Sequence, residues 1–149
     1  MRAKTYWTAV LLLVASAAYS QTAKWSQDYD KALVQAKNTG KTVLVDFSGS
    51  DWCSWCMRLE KEVFSQKAFK KYAKDNLILV LVDFPRKKHL PAGMQERNER
   101  LAQQYGIEGF PTVVLINAKG ETIAQTGYQP GGAANYVNHL KELIGKAKK

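Results

Sequence analysis

Two cysteines separated by two residues carry the most specific chemistry in this chain. They lie in the segment Trp52-Cys53-Ser54-Trp55-Cys56 and are the only two cysteines among the 149 residues. On a helix start, cysteines three positions apart lie on one face and are close enough to form a disulfide. The first thiol then faces unpaired backbone N–H groups and the positive end of the helix dipole, which lower its pKa. The spacing predicts thiol–disulfide exchange, with Cys53 as the attacking thiol and Cys56 as the resolving thiol.

The same spacing is also half of a zinc site, so metal binding is the alternative interpretation. The sequence has no second Cys-x-x-Cys pair. His89 and His139 are fifty residues apart, whereas the histidines of zinc fingers are separated by ~3–5 residues. A purely structural disulfide would usually close a longer loop. We therefore expect no bound metal and no cofactor other than a redox-active Cys53–Cys56 disulfide.

Length and composition indicate one globular domain. Apolar residues make up 46% of the chain and charged residues 23%, which are ordinary values for a globular protein. These values argue against disorder, a collagen-like chain and a multi-pass membrane protein. Two cysteines are too few for a small disulfide-stapled scaffold.

Residues 1–20 have the features of a secretory signal peptide. Arg2 and Lys4 precede an apolar run over residues 8–18, which is too short to span a bilayer as a helix of ~20 residues. An uncleaved membrane anchor is the alternative. Cleavage leaves residues 21–149, lowers the formal charge from +9 to +7, and predicts a periplasmic or secreted protein without stable membrane insertion. Disulfides form and persist in such compartments.

Alternation of apolar segments and turn residues predicts an α/β fold. The expected order is α, β, α, β, α, β, β, α, which gives a central mixed β-sheet flanked by helices on both faces. We expect Ser50 or Asp51 to cap the helix that begins near Cys53. The predicted elements are a helix over 27–38, strands over 42–47 and 77–84, helices near 53 and over 95–105, strands over 112–117 and 121–126, and a helix over 131–146.

Two further motifs accompany the cysteines in a fixed order. Residues 43–47 (VLVDF) form a strand that leads into the cysteine motif, and residues 109–112 (GFPT) precede a later strand. Together with Cys-x-x-Cys, these motifs resemble the thioredoxin superfamily, and most of all exported bacterial thioredoxin-like proteins with a tryptophan before each cysteine. The resemblance covers residues 25–146 and implies a thioredoxin-like fold for the domain 21–149.

The resemblance also implies a role for individual residues. Cys53 would be the exposed nucleophile and Cys56 its buried partner. Pro111 would follow a cis peptide bond beside the cysteines, and the backbone of Phe110 would pair with an extended substrate segment. Asp46 resembles the buried carboxylate that relays a proton to the resolving cysteine, and burial would raise its pKa. The alternative for Asp46 is a solvated carboxylate at the end of a strand.

The two tryptophans of the motif are candidate substrate contacts together with Phe110 and Pro111. We expect Trp52 to pack at the rim of the site and to shield the first cysteine. Trp55 lies between the cysteines and should be partly exposed. It would then either contact the apolar part of a substrate or pack against the rim.

The basic connection from Asp83 to Tyr105 is about a dozen residues longer than in thioredoxin. It carries six basic side chains, which are Arg86, Lys87, Lys88, His89, Arg97 and Arg100. One interpretation is a solvated loop, and the other is a recognition element for acidic partners. Nucleic acid is not an expected partner, because export separates the protein from it and no aromatic and basic platform is evident.

These observations predict a thiol–disulfide oxidoreductase that acts on protein disulfides and dithiols outside the cytoplasm. The pair Ser54-Trp55 contains no histidine, and this favours the reductase direction over a strong oxidant. A reductase in an oxidising compartment must be recharged, so a membrane-bound dithiol donor is the implied partner. The alternatives are a disulfide oxidase or isomerase, or a redox-inert module that binds peptides.

Overall fold

A computed structural model describes residues 23–147 of the protein, and the predicted signal peptide therefore lies outside the described residues. The strands are β1 (Trp25–Ser26), β2 (Thr42–Ser48), β3 (Leu77–Asp83), β4 (Thr112–Ile116) and β5 (Thr122–Thr126). The helices are α1 (Tyr29–Thr39), α2 (Ser54–Leu59), α3 (Lys67–Asn76), α4 (Met94–Gln104) and α5 (Gly132–Lys146). A π-helical turn, Glu60–Phe64, continues α2 toward α3.

The five strands form one mixed sheet in the order β1-β3-β2-β4-β5. Strand β3 is parallel to both β1 and β2, whereas β4 is antiparallel to β2 and to β5. The predicted mixed sheet is therefore confirmed. The sequence pattern missed β1, because a strand of two residues is too short to show any periodicity.

Helices cover both faces of the sheet, as predicted. Helices α1 and α4 pack on one face, against alternate side chains of β2, β3 and β4 such as Val45 and Val82. Helices α2, α3 and α5 and the π-helical turn pack on the other face, against the intervening side chains such as Leu44 and Leu79. Because successive side chains of a strand point to opposite faces, Asp46 and Asp83 both belong to the face covered by α2 and α5.

The topology brings three loops together at one end of the sheet. The parallel strands β2 and β3 both finish there, and the Phe84 N–H donates to the Ser48 carbonyl at 2.8 Å. Strand β4 runs in the opposite direction and begins there, with Thr112 opposite Phe47. We call this region the disulfide end of the sheet. It gathers the Cys-x-x-Cys segment, the basic connection and the loop that contains Pro111.

Candidate active site

A tight turn after β2 leads directly into the first cysteine. The Gly49 carbonyl accepts the N–H of Trp52 at 3.2 Å and the N–H of Cys53 at 2.9 Å. Cys53 has extended backbone angles and stands at the N-cap position of α2. Its Sγ accepts the Cys56 N–H at 3.2 Å, a role that Ser, Thr, Asp or Asn usually takes. The sulfur of Cys53 itself therefore caps the helix.

Ser50 and Asp51 do not cap α2, so that prediction is wrong. Both residues bind the segment at the end of β3 and just after it. The Asp83 carboxylate accepts the Ser50 N–H at 2.9 Å and the Ser50 hydroxyl at 2.6 Å. The Asp51 carboxylate accepts the backbone N–H groups of Arg86 and Lys87, each at 2.9 Å. The side chains of Ser50 and Asp51 are therefore engaged in long-range hydrogen bonds and do not cap the helix.

The two cysteines form a disulfide bond with their Cα atoms 5.2 Å apart. Cys53 is 7% exposed and Cys56 is 5% exposed. The expectation of an exposed Cys53 beside a buried Cys56 is therefore wrong for this disulfide state. The Cys53 sulfur is bonded to the Sγ of the buried Cys56 and accepts the Cys56 N–H, so its contacts are made within the buried pair.

Asp46 is a buried carboxylate on the same face of the sheet as α2. It lies in the middle strand between Leu81 of β3 and Val113 of β4 and is 6% exposed. Its Oδ1 atom has no hydrogen-bond partner among the described residues. Burial raises the pKa of Asp46 to about 8, and the neighbouring carboxyl groups of Glu60 and Asp83 add to the effect. The alternative of a solvated carboxylate at a strand end is wrong.

Trp52 is half-buried and is fixed at the rim of the site. Its indole Nε1–H donates to the Phe84 carbonyl at 2.7 Å. Its ring meets the Phe110 ring edge-on, with the centroids 6.0 Å apart, and the Arg86 guanidinium carbon lies 3.6 Å from the indole centroid. Trp52 thus packs at the rim as predicted, and it links the cysteine loop to the segment before β4.

Trp55 is exposed and belongs to a second aromatic group, separate from that of Trp52. Its side chain is 51% exposed and its ring lies 5.2 Å from the ring of Tyr128. The Arg58 guanidinium carbon lies 5.2 Å from the centroids of both rings. Glu62 accepts hydrogen bonds from Arg58 Nε at 2.7 Å and from the Tyr128 hydroxyl at 2.5 Å. We call these four residues the Trp55 cluster.

The peptide bond between Phe110 and Pro111 is cis, as the resemblance implies. Pro111 comes directly before β4 and so lies at the disulfide end of the sheet. A Cβ atom on Gly127 would come within 3.2 Å of the Pro111 carbonyl oxygen. The glycine thus permits close approach of the segment that continues into Tyr128. The Pro111 loop is therefore connected to both tryptophans. Phe110 contacts Trp52, and Gly127 lies against Pro111 and is followed by Tyr128 of the Trp55 cluster.

Sequence reasoning missed two contributors to the site. Asp83 ends β3 in the motif Val82-Asp83-Phe84, which repeats the Val-Asp-Phe of β2, and that repetition was an available signal. Asp83 is 2% exposed and fixes the loop before the cysteines. Tyr128 has no such signal, because only the folded chain brings it to Trp55 across more than seventy positions.

No metal site is evident in the part of the chain that the structure describes. Residues 23–147 contain no group of three or more His, Cys, Asp or Glu side chains that could hold a metal ion. Within the same residues, none of the helices is both long enough and apolar enough to cross a membrane.

The chain belongs to the thioredoxin-like domain family, which it matches over residues 29–143. It is 38% identical to "Disulfide bond reductase DsbH" of Chlamydia pneumoniae over 118 residues, which cover 79% of this chain and 71% of that protein. A solved structure named "DsbH Oxidoreductase" superimposes with a TM-score of 0.80 and 34% identity, covering 93% of this chain and 95% of that one.

A longer relative contains a similar segment. Over 120 residues the chain is 30% identical to "Thiol:disulfide interchange protein DsbD" of Cronobacter sakazakii, covering 78% of this chain but only 19% of that protein. The family, these relatives and the Cys53–Cys56 disulfide establish the protein as a thiol–disulfide oxidoreductase with a thioredoxin-like fold.

Proposed function

We propose that this protein is an exported reductase of protein disulfides, with Cys53 as its nucleophile. The observation that carries the proposal is the position of Cys53 at the N-cap of α2, where its Sγ accepts the Cys56 N–H at 3.2 Å. In the reduced protein this N–H and the helix dipole favour the thiolate of Cys53 over its thiol. The name of the 38% identical relative, a disulfide bond reductase, supports the same direction.

The reaction begins with the dithiol form of the protein. The Cys53 thiolate attacks one sulfur of a substrate disulfide, and the bond between the two substrate sulfurs breaks. One substrate cysteine leaves as a thiolate and takes a proton from water. The other remains joined to Cys53 as a mixed disulfide.

Asp46 and Cys56 complete the reaction. Ionised Asp46 accepts the proton of the Cys56 thiol, directly or through water, and the Cys56 thiolate attacks the Cys53 sulfur. The mixed disulfide breaks, the substrate leaves as a dithiol, and the Cys53–Cys56 disulfide forms. Two electrons have passed to the substrate. A pKa of about 8 suits a proton acceptor that works near neutral pH.

Residues around the disulfide supply the proposed substrate contacts. We assign the pairing with an extended substrate segment to the backbone of Phe110, which lies before the cis Pro111 and close to the start of β4. Trp52 borders this segment through Phe110. Trp55 presents an exposed ring directly before Cys56, which suits the apolar part of an unfolded or extended chain.

We further propose that residues 1–20 direct the chain out of the cytoplasm and are removed. A reductase in an oxidising compartment leaves each reaction as a disulfide and needs two electrons to return to the dithiol. A membrane-bound dithiol protein is the proposed donor. Fractionation of cells and N-terminal sequencing test the location, with Gln21 expected as the first residue of the periplasmic protein. An intact Met1 would overturn the cleavage.

Reduction of a protein disulfide in the presence of dithiothreitol tests the activity. Protein purified from the periplasm of an expression host should accelerate the reduction of insulin, and Cys53→Ser should abolish this acceleration. Cys56→Ser should accumulate a mixed disulfide with the substrate through Cys53. A Cys53→Ser variant that retains full function would instead indicate a redox-inert binding module.

A further inference from the structure

An arginine lies over the ring of each tryptophan in the active-site motif, but only one of the two arginines forms an ion pair. Arg58 lies over Trp55 and forms an ion pair with Glu62 at 2.7 Å. Arg86 lies over Trp52 at 3.6 Å, and no carboxylate of residues 23–147 forms an ion pair with it. The guanidinium of Arg58 is therefore held in an ion pair, whereas that of Arg86 forms none with residues 23–147.

The segment that carries Arg86 is anchored to the loop before Cys53. Asp51 accepts the backbone N–H groups of Arg86 and Lys87, each at 2.9 Å. Lys88 Nζ lies 3.5 Å from the buried carboxylate of Asp83. These bonds use backbone N–H groups and one lysine, so they leave the Arg86 and Lys87 side chains exposed.

We propose that Arg86 and Lys87 form a docking surface for an acidic polypeptide segment next to the reacting cysteine of the partner. This inference rests on the proposed function, because the partner must be a protein thiol or disulfide. An arginine held over an aromatic ring can still donate its N–H groups to a carboxylate, and it loses little further side-chain freedom on binding. Complementary charges next to a reacting group accelerate encounter and fix orientation.

The geometry also determines beside which of the two tryptophans the acidic residues of a partner bind. Trp52 contacts Phe110, whose backbone is the proposed pairing segment for substrate. Arg86 therefore borders the same strip of surface that an extended substrate would occupy. In the Trp55 cluster, by contrast, Arg58 already forms an ion pair with Glu62. A partner therefore carries Asp or Glu in the part of its chain that contacts Arg86 beside Trp52. The part that contacts Trp55 needs no acidic residue.

Two disulfide-linked peptides that differ only in flanking charge test this surface, one with acidic and one with neutral residues beside the cysteine. At low salt, Arg86→Gln should lower kcat/KM for the acidic peptide by ~5–10-fold and for the neutral peptide by less than about 2-fold. The difference should disappear near 0.5 M salt, where screening shortens the electrostatic range to a few ångströms. Lys87→Gln should act in the same direction and is a second variant on an exposed side chain.

Lys119→Gln is the matched control, because it removes one positive charge far from the disulfide. Lys119 lies in the turn after β4, and that strand ends opposite Val43 at the start of β2. This variant should retain kcat/KM for both peptides. Equal losses for the acidic and neutral peptides in Arg86→Gln, or an equal loss in Lys119→Gln, would overturn the docking surface. If wild-type protein reduces neither peptide, the proposed function itself fails and the surface with it.

Discussion

Replacing Asp46 by asparagine tests how the buried carboxylate couples stability to pH. Asparagine has nearly the same shape as aspartic acid but cannot ionise. In the folded protein the pKa of Asp46 is raised from 3.8 to about 8 by burial and by neighbouring carboxyl groups. In the unfolded chain the same group titrates near its ordinary value. Between these two pH values the unfolded chain has lost the proton and the folded protein still holds it.

The sign and size of the effect follow from this difference. Because the unfolded state binds fewer protons, the free energy of unfolding falls as pH rises, by ~1.4 kcal/mol per pH unit for one group. The fall begins near pH 4 and ends near pH 8. Between pH 5 and pH 8 it amounts to roughly 4 kcal/mol, a large share of the ~5–15 kcal/mol that stabilises a domain.

Urea unfolding of the oxidised protein at several pH values measures this coupling. Wild-type protein should lose stability steadily between pH 5 and pH 8. Asp46→Asn should lack this component, so the difference in unfolding free energy between the two proteins should grow with pH in favour of the variant. The variant should also resolve mixed disulfides more slowly near neutral pH, because it cannot accept the Cys56 proton. Parallel pH curves for the two proteins would refute the reasoning.

Three further substitutions test other parts of the site. In Gly49→Ala the new Cβ would lie 2.5 Å from the indole of Trp52, so we expect a loss of ~1–3 kcal/mol in thermal or urea unfolding and altered tryptophan fluorescence; unchanged fluorescence and Tm would contradict the packing. Asp83→Asn removes a charge that raises the pKa of Asp46. The fall in the free energy of unfolding should therefore end at a lower pH than in the wild-type protein. An end point at higher pH would show that Asp83 does not raise this pKa. Trp55→Ala removes a half-exposed ring and should lower kcat/KM for protein disulfides but not the rate with dithiothreitol, whereas equal losses with both would exclude a role in substrate contact.

The sequence predicted the sheet because its strands are short apolar runs with clear turns between them. The segment LILVLVD is apolar up to its final aspartate, and this continuous run predicts a strand that is buried or half-buried along its whole length, as the structure has it. Asp46 could be recognised as buried because its neighbours in the strand are apolar. The boundaries differ by one or two residues, which is the usual consequence of fraying at element ends.

Local sequence could not predict the contacts that join distant segments. Ser50 and Asp51 are good helix caps by type, but the folded chain uses them to hold residues more than thirty positions away. The burial of Cys53, which is bonded to Cys56 in a disulfide, is likewise a property of the folded chain. The charge asymmetry between Arg58 and Arg86 also needs the structure, because it depends on which carboxylate each side chain reaches.

The reduction potential of the Cys53–Cys56 pair tests the central claim most directly. The protein is equilibrated with dithiothreitol or glutathione buffers of defined potential, and tryptophan fluorescence reports the fraction of disulfide. A reductase of protein disulfides is expected to have a potential near that of thioredoxin, ~−270 mV. A potential near ~−120 mV, typical of a strong oxidant, would contradict the reductase assignment.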